Sequence, residues 1–285
     1  MIDYPALAAL AEIARRGSFE GAAQALGITQ PAVSQRIKSL EAKMGQVLLD
    51  RGPPVTPTEA GLRLIAHWGQ VQLLEAGLAM TPAALPPVRI AVNGDSLASW
   101  AMSALPQAPG LVDLVIDDQD HAERWLRAGL VSAAITAQAG PVAGCDSFDL
   151  GAMRYVASAS PDFITRHFPD GVTPRALRTA PALIFNSKDG LQDLWVRQRF
   201  GRNIALPCHL IPNAEAFAAA TRLGMGWGMN AELIIAEDLR CGRLVPLHPT
   251  PLDVRLHWQI ARIMAPALAP LTRAIRRAAA AALIA

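Results

Sequence analysis

The chain has 285 residues, 52% of them hydrophobic, and a formal net charge of +2. That length suits a small domain joined to a larger one, and the apolar content excludes a largely disordered chain. So small a net charge makes no case for nucleic acid by itself, and any such case must rest on where the charges lie.

Cys145, Cys208 and Cys241 are odd in number, widely spaced and outside any C-x-x-C pattern, which argues against a disulfide framework or a zinc site. A reducing, cytoplasmic location is expected, because the N-terminus carries Asp3 and begins amphipathic patterning without an apolar signal region. The longest apolar stretches stop well short of the ~20 residues that span a bilayer, so no membrane partner is expected.

Leu7, Leu10, Ala11 and Ala14 recur at helical spacing and predict a first helix that Gly17 ends. Ser18 suits the cap of a second, whose inward face is Phe19, Ala22, Ala23 and Leu26, and Gly27 ends it. Only Gly27 and Ile28 precede Thr29, a good N-cap, and Pro31 in the first turn of a third helix. Val33, Ile37, Leu40 and Met44 form its packing arc. Thr29, Gln30, Pro31, Ser34, Gln35, Arg36 and Lys38 are the candidate DNA-reading residues. Ser34 and Gln35 suit base edges, and Arg36 and Lys38 suit phosphates. Beyond Gly45, residues 47–56 read as two short strands of a wing, with Arg51 at its tip as a further phosphate or minor-groove cation.

The run "GSFEGAAQALGITQPAVSQRIKSLEAKMGQVLLDRGPPVTPTEAG" resembles the DNA-binding signature of the LysR-type transcriptional regulators, including its paired alanines and its Gln-Pro-Ala-Val-Ser stretch. Leu49 departs from it, standing where the family usually has phenylalanine.

Thr58 can cap a long helix running to about Met80, with Leu64, Trp68, Val71, Leu74 and Leu78 on one stripe. No helix nearby in sequence covers that stripe, so either a partner chain or the chain's own domains must. The resemblance implies a dimerisation helix, hence a homodimer or homotetramer. Residues 81–87 then make a proline-rich hinge.

From residue 88 short apolar runs alternate with helical patterns, the mark of an α/β domain. Strands are predicted over 88–92, 111–116, 131–136, 153–158, 182–185, 206–211, 226–229 and 254–262. The resemblance implies two lobes like those of periplasmic binding proteins, crossing near 158–162 and 256–263. The expected organisation is therefore a winged helix-turn-helix over 1–58, a linker helix over 59–80, a hinge over 81–87 and an effector domain over 88–285. Within that domain, lobe I takes about 88–160 and 261–285, and lobe II about 161–260.

Ligands of such sheets sit beyond the carboxyl ends of strands, which selects Asn93, Asp95, Ser96, Thr136, Asp189, Asn213 and Glu215 as candidate ligand-binding residues. Asp95 and Ser96 are expected to precede a helix over 97–105, and Asn213 one over 214–222, so free N–H groups there would attract a carboxylate. Asp95, Asp189 and Glu215 can receive an amine or guanidinium, or serve merely as caps.

The segments "AVNGDSLASW", "DGLQD" and "LGMGWGM" are similar to those of one branch, the LysG/ArgP-type regulators of lysine and arginine export. That branch implies L-lysine or L-arginine as effector, an exporter gene's promoter DNA as target, and RNA polymerase as a partner. Gly94 replaces the alanine usual in its "VNADS".

The alternatives are a LysR-type regulator of another metabolite, a binding protein for transport, and an enzyme. No enzyme is expected: residues 94–98 lack the final glycine of G-x-S-x-G, and Met229 stands where G-x-G-x-x-G needs its third glycine. The glycines at 224, 226 and 228 instead suggest a tight turn behind a buried strand. No metal or cofactor is expected.

Overall fold

The computed structural model describes residues 3–76, 87–116 and 123–285. Helices α1 (Tyr4–Arg16), α2 (Phe19–Leu26) and α3 (Gln30–Met44) open the chain. Gly17 and Gly27 end the first two in the left-handed conformation, at φ 69° and 64°, where any side chain would be strained. The Oγ of Ser18 accepts the Gly21 N–H at 3.1 Å and so caps α2. Ala6, Leu7, Ala9, Leu10 and Ile13 of α1 pack on Ala22, Ala23, Val33, Ile37 and Leu40.

Two packing expectations shift. Ile13 is buried where Ala11 and Ala14 are only half-buried, and Met44 is exposed because α3 outruns the core at its end. The wing is an antiparallel pair, β1 (Leu49–Asp50) and β2 (Thr56–Pro57), with Leu49 opposite Pro57. Leu49 is almost fully buried in the core of this unit.

Helix α4 (Glu59–Ala76) starts at Thr58, whose Oγ1 accepts the Gly61 N–H at 3.2 Å. The chain itself covers part of the expected stripe. Leu64 is buried in the N-terminal core, and Trp68 packs beside it with its ring 5.4 Å from that of Tyr4. Leu73 is buried in the core of the second domain, and Leu74 packs against it. Trp68, Val71 and Leu74 stay half-buried, which leaves apolar surface on this helix. Leu78, the end near Met80 and residues 81–86 of the hinge lie outside the described residues.

The second domain is α/β. Its large sheet runs in the order β10-β6-β11-β5-β3-β4, with β9 also paired to β6. In chain order its first half holds β3 (Val88–Val92), α5 (Gly94–Ser99), a 3-10 helix (Ala101–Gln107), β4 (Val112–Ile116), α6 (Glu123–Arg127) and β5 (Ala133–Thr136). Strand β6 (Cys145–Ala159) follows, then α7 (Pro161–His167), α8 (Pro174–Leu177), β7 (Ala182–Ile184), α9 (Leu191–Phe200) and β8 (Cys208–Leu210). After α10 (Ala214–Arg222), β9 (Gly228–Ala231), α11 (Glu232–Arg240) and β10 (Val245–Pro246), β11 (Leu252–Ala261) returns, and α12 (Ala269–Ala282) ends the chain. A short 3-10 turn, Arg262–Met264, joins the last two.

Strands β3, β4 and β5 are parallel, whereas β6 and β11 pair antiparallel along nearly the whole of β11. The first half of β6 thus belongs to one lobe, and residues 155–159 join β9 and β10 in the other. The two halves meet within these paired strands, at about 151–155 opposite 252–256, a few residues before the expected 158–162 and 256–263. Residues 145–152, which no predicted strand covers, are also strand; their alternation is masked by Gly151 and by charged residues at the sheet surface.

The helix expected over 97–105 starts at Gly94 and gives way to the 3-10 helix at residue 101. Pro106 in that segment has no N–H to continue an α-helical ladder. Asp95 and Ser96 therefore lie inside its first turn, with Asn93 at the N-cap.

Candidate functional site

The exposed side of α3 is the first candidate surface. Thr29 Oγ1 accepts the Ala32 N–H at 3.4 Å, and Pro31 sits in the first turn. Thr29, Gln30, Pro31, Gln35 and Lys38 are exposed, while Ser34 and Arg36 are half-buried beside the packing face of Val33, Ile37 and Leu40. The Gln30 amide donates to Ser34 Oγ at 3.1 Å, so two of the candidate DNA-reading residues hold one another. Arg51 is already engaged: its guanidinium pairs with Glu41 at 3.0 Å and lies 5.9 Å from the centre of the Phe19 ring. Glu41 also accepts the Leu48 N–H at 2.9 Å, so this acid fastens the wing to α3.

The second candidate is a narrow cleft at the carboxyl end of β3, with about 30 Å³ of space for water-sized groups. Asn93, Gly94 and Asp95 form one side, and Phe185, Asp189, Leu191, Ala214, Phe217, Met229 and Asn230 much of the other. Asn93 is 2% exposed, and among the described residues neither its amide nitrogen nor its oxygen meets a hydrogen-bond partner. An unsatisfied buried amide costs about 1–3 kcal/mol, so a group able to both donate and accept is favoured beside it. Asp95 Oδ2 accepts the Tyr155 hydroxyl at 2.9 Å, which joins the first turn of α5 to β6.

The seven sequence-derived ligand residues separate here. Asn93, Asp95 and Asp189 line the cleft. Asp189 has structural duties there, because its two carboxylate oxygens accept the Phe185 N–H at 2.8 Å and the Leu191 N–H at 3.1 Å. Ser96 is fully buried behind the lining, its hydroxyl without a partner among the described residues. Thr136, also fully buried, ends β5 and accepts the Gln138 N–H at 3.1 Å. Asn213 is an exposed cap, accepting the Ala216 N–H at 2.8 Å, and Glu215 is exposed in the first turn of α10. Neither borders the cleft, since the face α10 turns inward is Ala214 and Phe217.

Sequence reasoning missed Tyr155, Phe185, Phe217 and Asn230. Asn230 is 3% exposed, and its amide donates to Ser158 Oγ at 3.1 Å and Thr221 Oγ1 at 3.2 Å. The glycine run beside it was the available signal. A Cβ at Gly228 would lie 2.5 Å from the Phe217 ring, and one at Gly226 2.8 Å from Leu183. Only Gly224 of the three has the positive φ of a tight turn, so 226 and 228 are seats for side chains.

Two family models match this chain: "Bacterial regulatory helix-turn-helix protein, lysR family" over residues 5–62 and "LysR substrate binding domain" over 84–283. It belongs to the LysR family of transcriptional regulators. The HTH-type transcriptional regulator LysG of Mycobacterium tuberculosis is 45% identical over 98% of this chain and 94% of its own. The crystal structure of ArgP from the same organism superposes with a TM-score of 0.83 at 44% identity, covering 100% of this chain and 99% of that one. Full-length LysG from Corynebacterium glutamicum with bound effector Arg gives 0.70 at 35% identity, covering both chains completely.

The protein is thus a ligand-responsive LysR-type regulator, with a DNA-binding helix-turn-helix and an α/β domain carrying the cleft. No helix of the described residues is long and apolar enough to cross a membrane. Among them, no group of three or more His, Cys, Asp or Glu side chains is placed to hold a metal ion.

Proposed function

We propose that this regulator senses a basic amino acid, L-lysine or L-arginine, in the cleft beyond β3, and controls an exporter gene accordingly. The observation that carries the reading is the buried Asn93 amide beside the Asp95 carboxylate, its donor and acceptor atoms unpartnered among the described residues. An α-amino acid presents a carboxylate and an ammonium on one carbon, which matches an amide N–H donor next to an amide oxygen and a carboxylate. The other acid at the lining, Asp189, is engaged by backbone N–H groups, and the apolar lining residues Phe185, Leu191 and Phe217 suit an aliphatic stem. LysG and ArgP relatives, one of them solved with arginine bound, support the choice of a basic side chain.

DNA binding is proposed through Thr29, Gln30, Pro31, Ser34, Gln35, Arg36 and Lys38, in a homodimer, with Arg51 bracing the wing. Dimers can pair into tetramers, and contact with RNA polymerase belongs to the same proposal. Calorimetric titration with all twenty amino acids and norleucine tests the effector. Lysine or arginine is expected to bind, and norleucine, which lacks the ε-amine, to lose about 2–5 kcal/mol. Equal binding of norleucine and lysine, or no binding of either basic amino acid at millimolar concentration, would end the assignment.

A further inference from the structure

Gly94 is a glycine that its own backbone does not require. It occupies the first position of α5, has no positive φ, and stands where alanine would strengthen the helix. What a Cβ there would meet is a side chain from across the cleft. A Cβ at residue 94 would lie 3.1 Å from both Cε2 and Cζ of Phe185, closer than such contacts ordinarily come, and 3.9 Å from Ala214 Cβ. The Phe185 ring thus rests directly on the α5 backbone, one residue from Asn93 and Asp95.

Phe185 is held in that place from behind. Its N–H donates to Asp189, whose other oxygen fixes Leu191 at the start of α9, so the loop presenting the ring is tied at two points. Gly94, Phe185 and Ala214 all border the cleft, and the contact joins the β3 side to the side built from β7 and α10. The spacing of the two sides over a ligand is therefore set where the ring meets residue 94.

We propose that Gly94 is a specificity-determining residue: as the seat of the Phe185 ring, it fixes how much room the cleft leaves for the side chain of its ligand. This rests on the amino-acid-sensing reading of the same cleft. A Cβ at 94 displaces the ring by a few tenths of an ångström, and a well-packed wall transmits that displacement to whatever lies against it. Lysine and arginine share the α-carbon groups and differ only in the length and shape of the cationic end. Their affinity ratio consequently reports the room left by the ring.

The test is calorimetry of L-lysine and L-arginine on the full-length wild type, Gly94→Ala, Phe185→Ala and Gly94→Ala/Phe185→Ala, with thermal unfolding of each as the folding control. Gly94→Ala is expected to change the lysine-to-arginine affinity ratio on the order of tenfold, the discrimination one methylene-sized change in a pocket produces. In the double variant no ring meets the new methyl group, so its ratio should equal that of Phe185→Ala. Such non-additivity is the mark of two residues acting through one contact.

An unchanged ratio in Gly94→Ala, or an equal change with and without the ring, overturns the proposal and leaves amino-acid sensing intact. Should wild type bind neither amino acid, the sensing reading fails and the proposal falls with it. If Gly94→Ala does not fold, Phe185→Ala and the double variant still decide: a difference between their ratios overturns the proposal. A merely structural role for Gly94 would move the unfolding temperature and leave every ratio alone.

Discussion

At the scale of single residues, the cleft sorts its acids by what they already hold. Asp95→Asn is expected to keep the fold and lose about 2–5 kcal/mol of lysine affinity, the cost of removing one charged partner in a desolvated contact. Asp189→Asn should chiefly lower stability, by about 1–3 kcal/mol, because one of two backbone N–H groups loses its acceptor. Glu215→Gln should change neither. Calorimetry and denaturant unfolding of the three variants separate these outcomes, and an affinity loss confined to Glu215→Gln would refute the placement.

Asp238 makes a different case, 3% exposed and bonded to Arg222 at 2.7 Å and Arg243 at 2.6 Å. Burial alone would raise its carboxyl, yet the hydrogen bonds from Arg243 and Arg222 hold it below the usual carboxylate value. A group lowered in the folded state stabilises above its unfolded value and stops doing so as pH falls through the folded one. The stability gap between wild type and Asp238→Asn, measured by thermal unfolding, should therefore be widest near neutrality and close in acid, below the ordinary carboxylate range. On α3, Lys38→Ala should weaken DNA binding broadly and flatten its salt dependence by about one unit, whereas Gln35→Ala should reduce preference for the cognate site. Binding measured over a salt series on cognate and random duplexes checks both. The sequence disclosed Asn93, Asp95 and Asp189 because strand ends are readable from pattern; Phe185 and Tyr155 were hidden because their partners lie 60 residues or more away.

Among the elements, helices and buried strands were legible and their junctions were not. Ser18, Thr29 and Thr58 each announced a helix start through local chemistry, and their side chains make the expected bonds. The strand over 145–152 was illegible because its identity comes from pairing with β11, roughly a hundred residues downstream. Helix α5 starts earlier than expected, with Asn93, the residue after β3, already its N-cap. The C-terminus also depends on such a distant join, as Ile284 exchanges backbone hydrogen bonds of 2.8 and 3.1 Å with Ala152. Beside it Gly151 holds φ +99°, and a Cβ there would lie 2.6 Å from the Ile284 carbonyl oxygen. Gly151→Ala is expected to cost at least about 1–3 kcal/mol and to free the last residues, seen as faster amide exchange at Ile284.

For the whole molecule, recognition helices in a homodimer should address half-sites about 34–36 Å apart or a multiple of that spacing. Inserting about 5 base pairs between half-sites should abolish tight binding and about 10 should restore much of it, which gel-shift titration measures. Helix α4 enters this geometry because it is anchored at both ends, by Leu64 in one core and Leu73 in the other. The sheet sets the remaining constraint. Domains joined by loops can swivel through wide angles, but here two paired strands carry the connection. Their irregularities coincide: positive-φ Gly151 stands opposite Leu256, where the register shifts before His257. In engineering terms this is a flexure and not a pivot. Such a joint has no slack and a short stroke, so a displacement of the cleft walls passes into the rest of the sheet without being lost in idle motion.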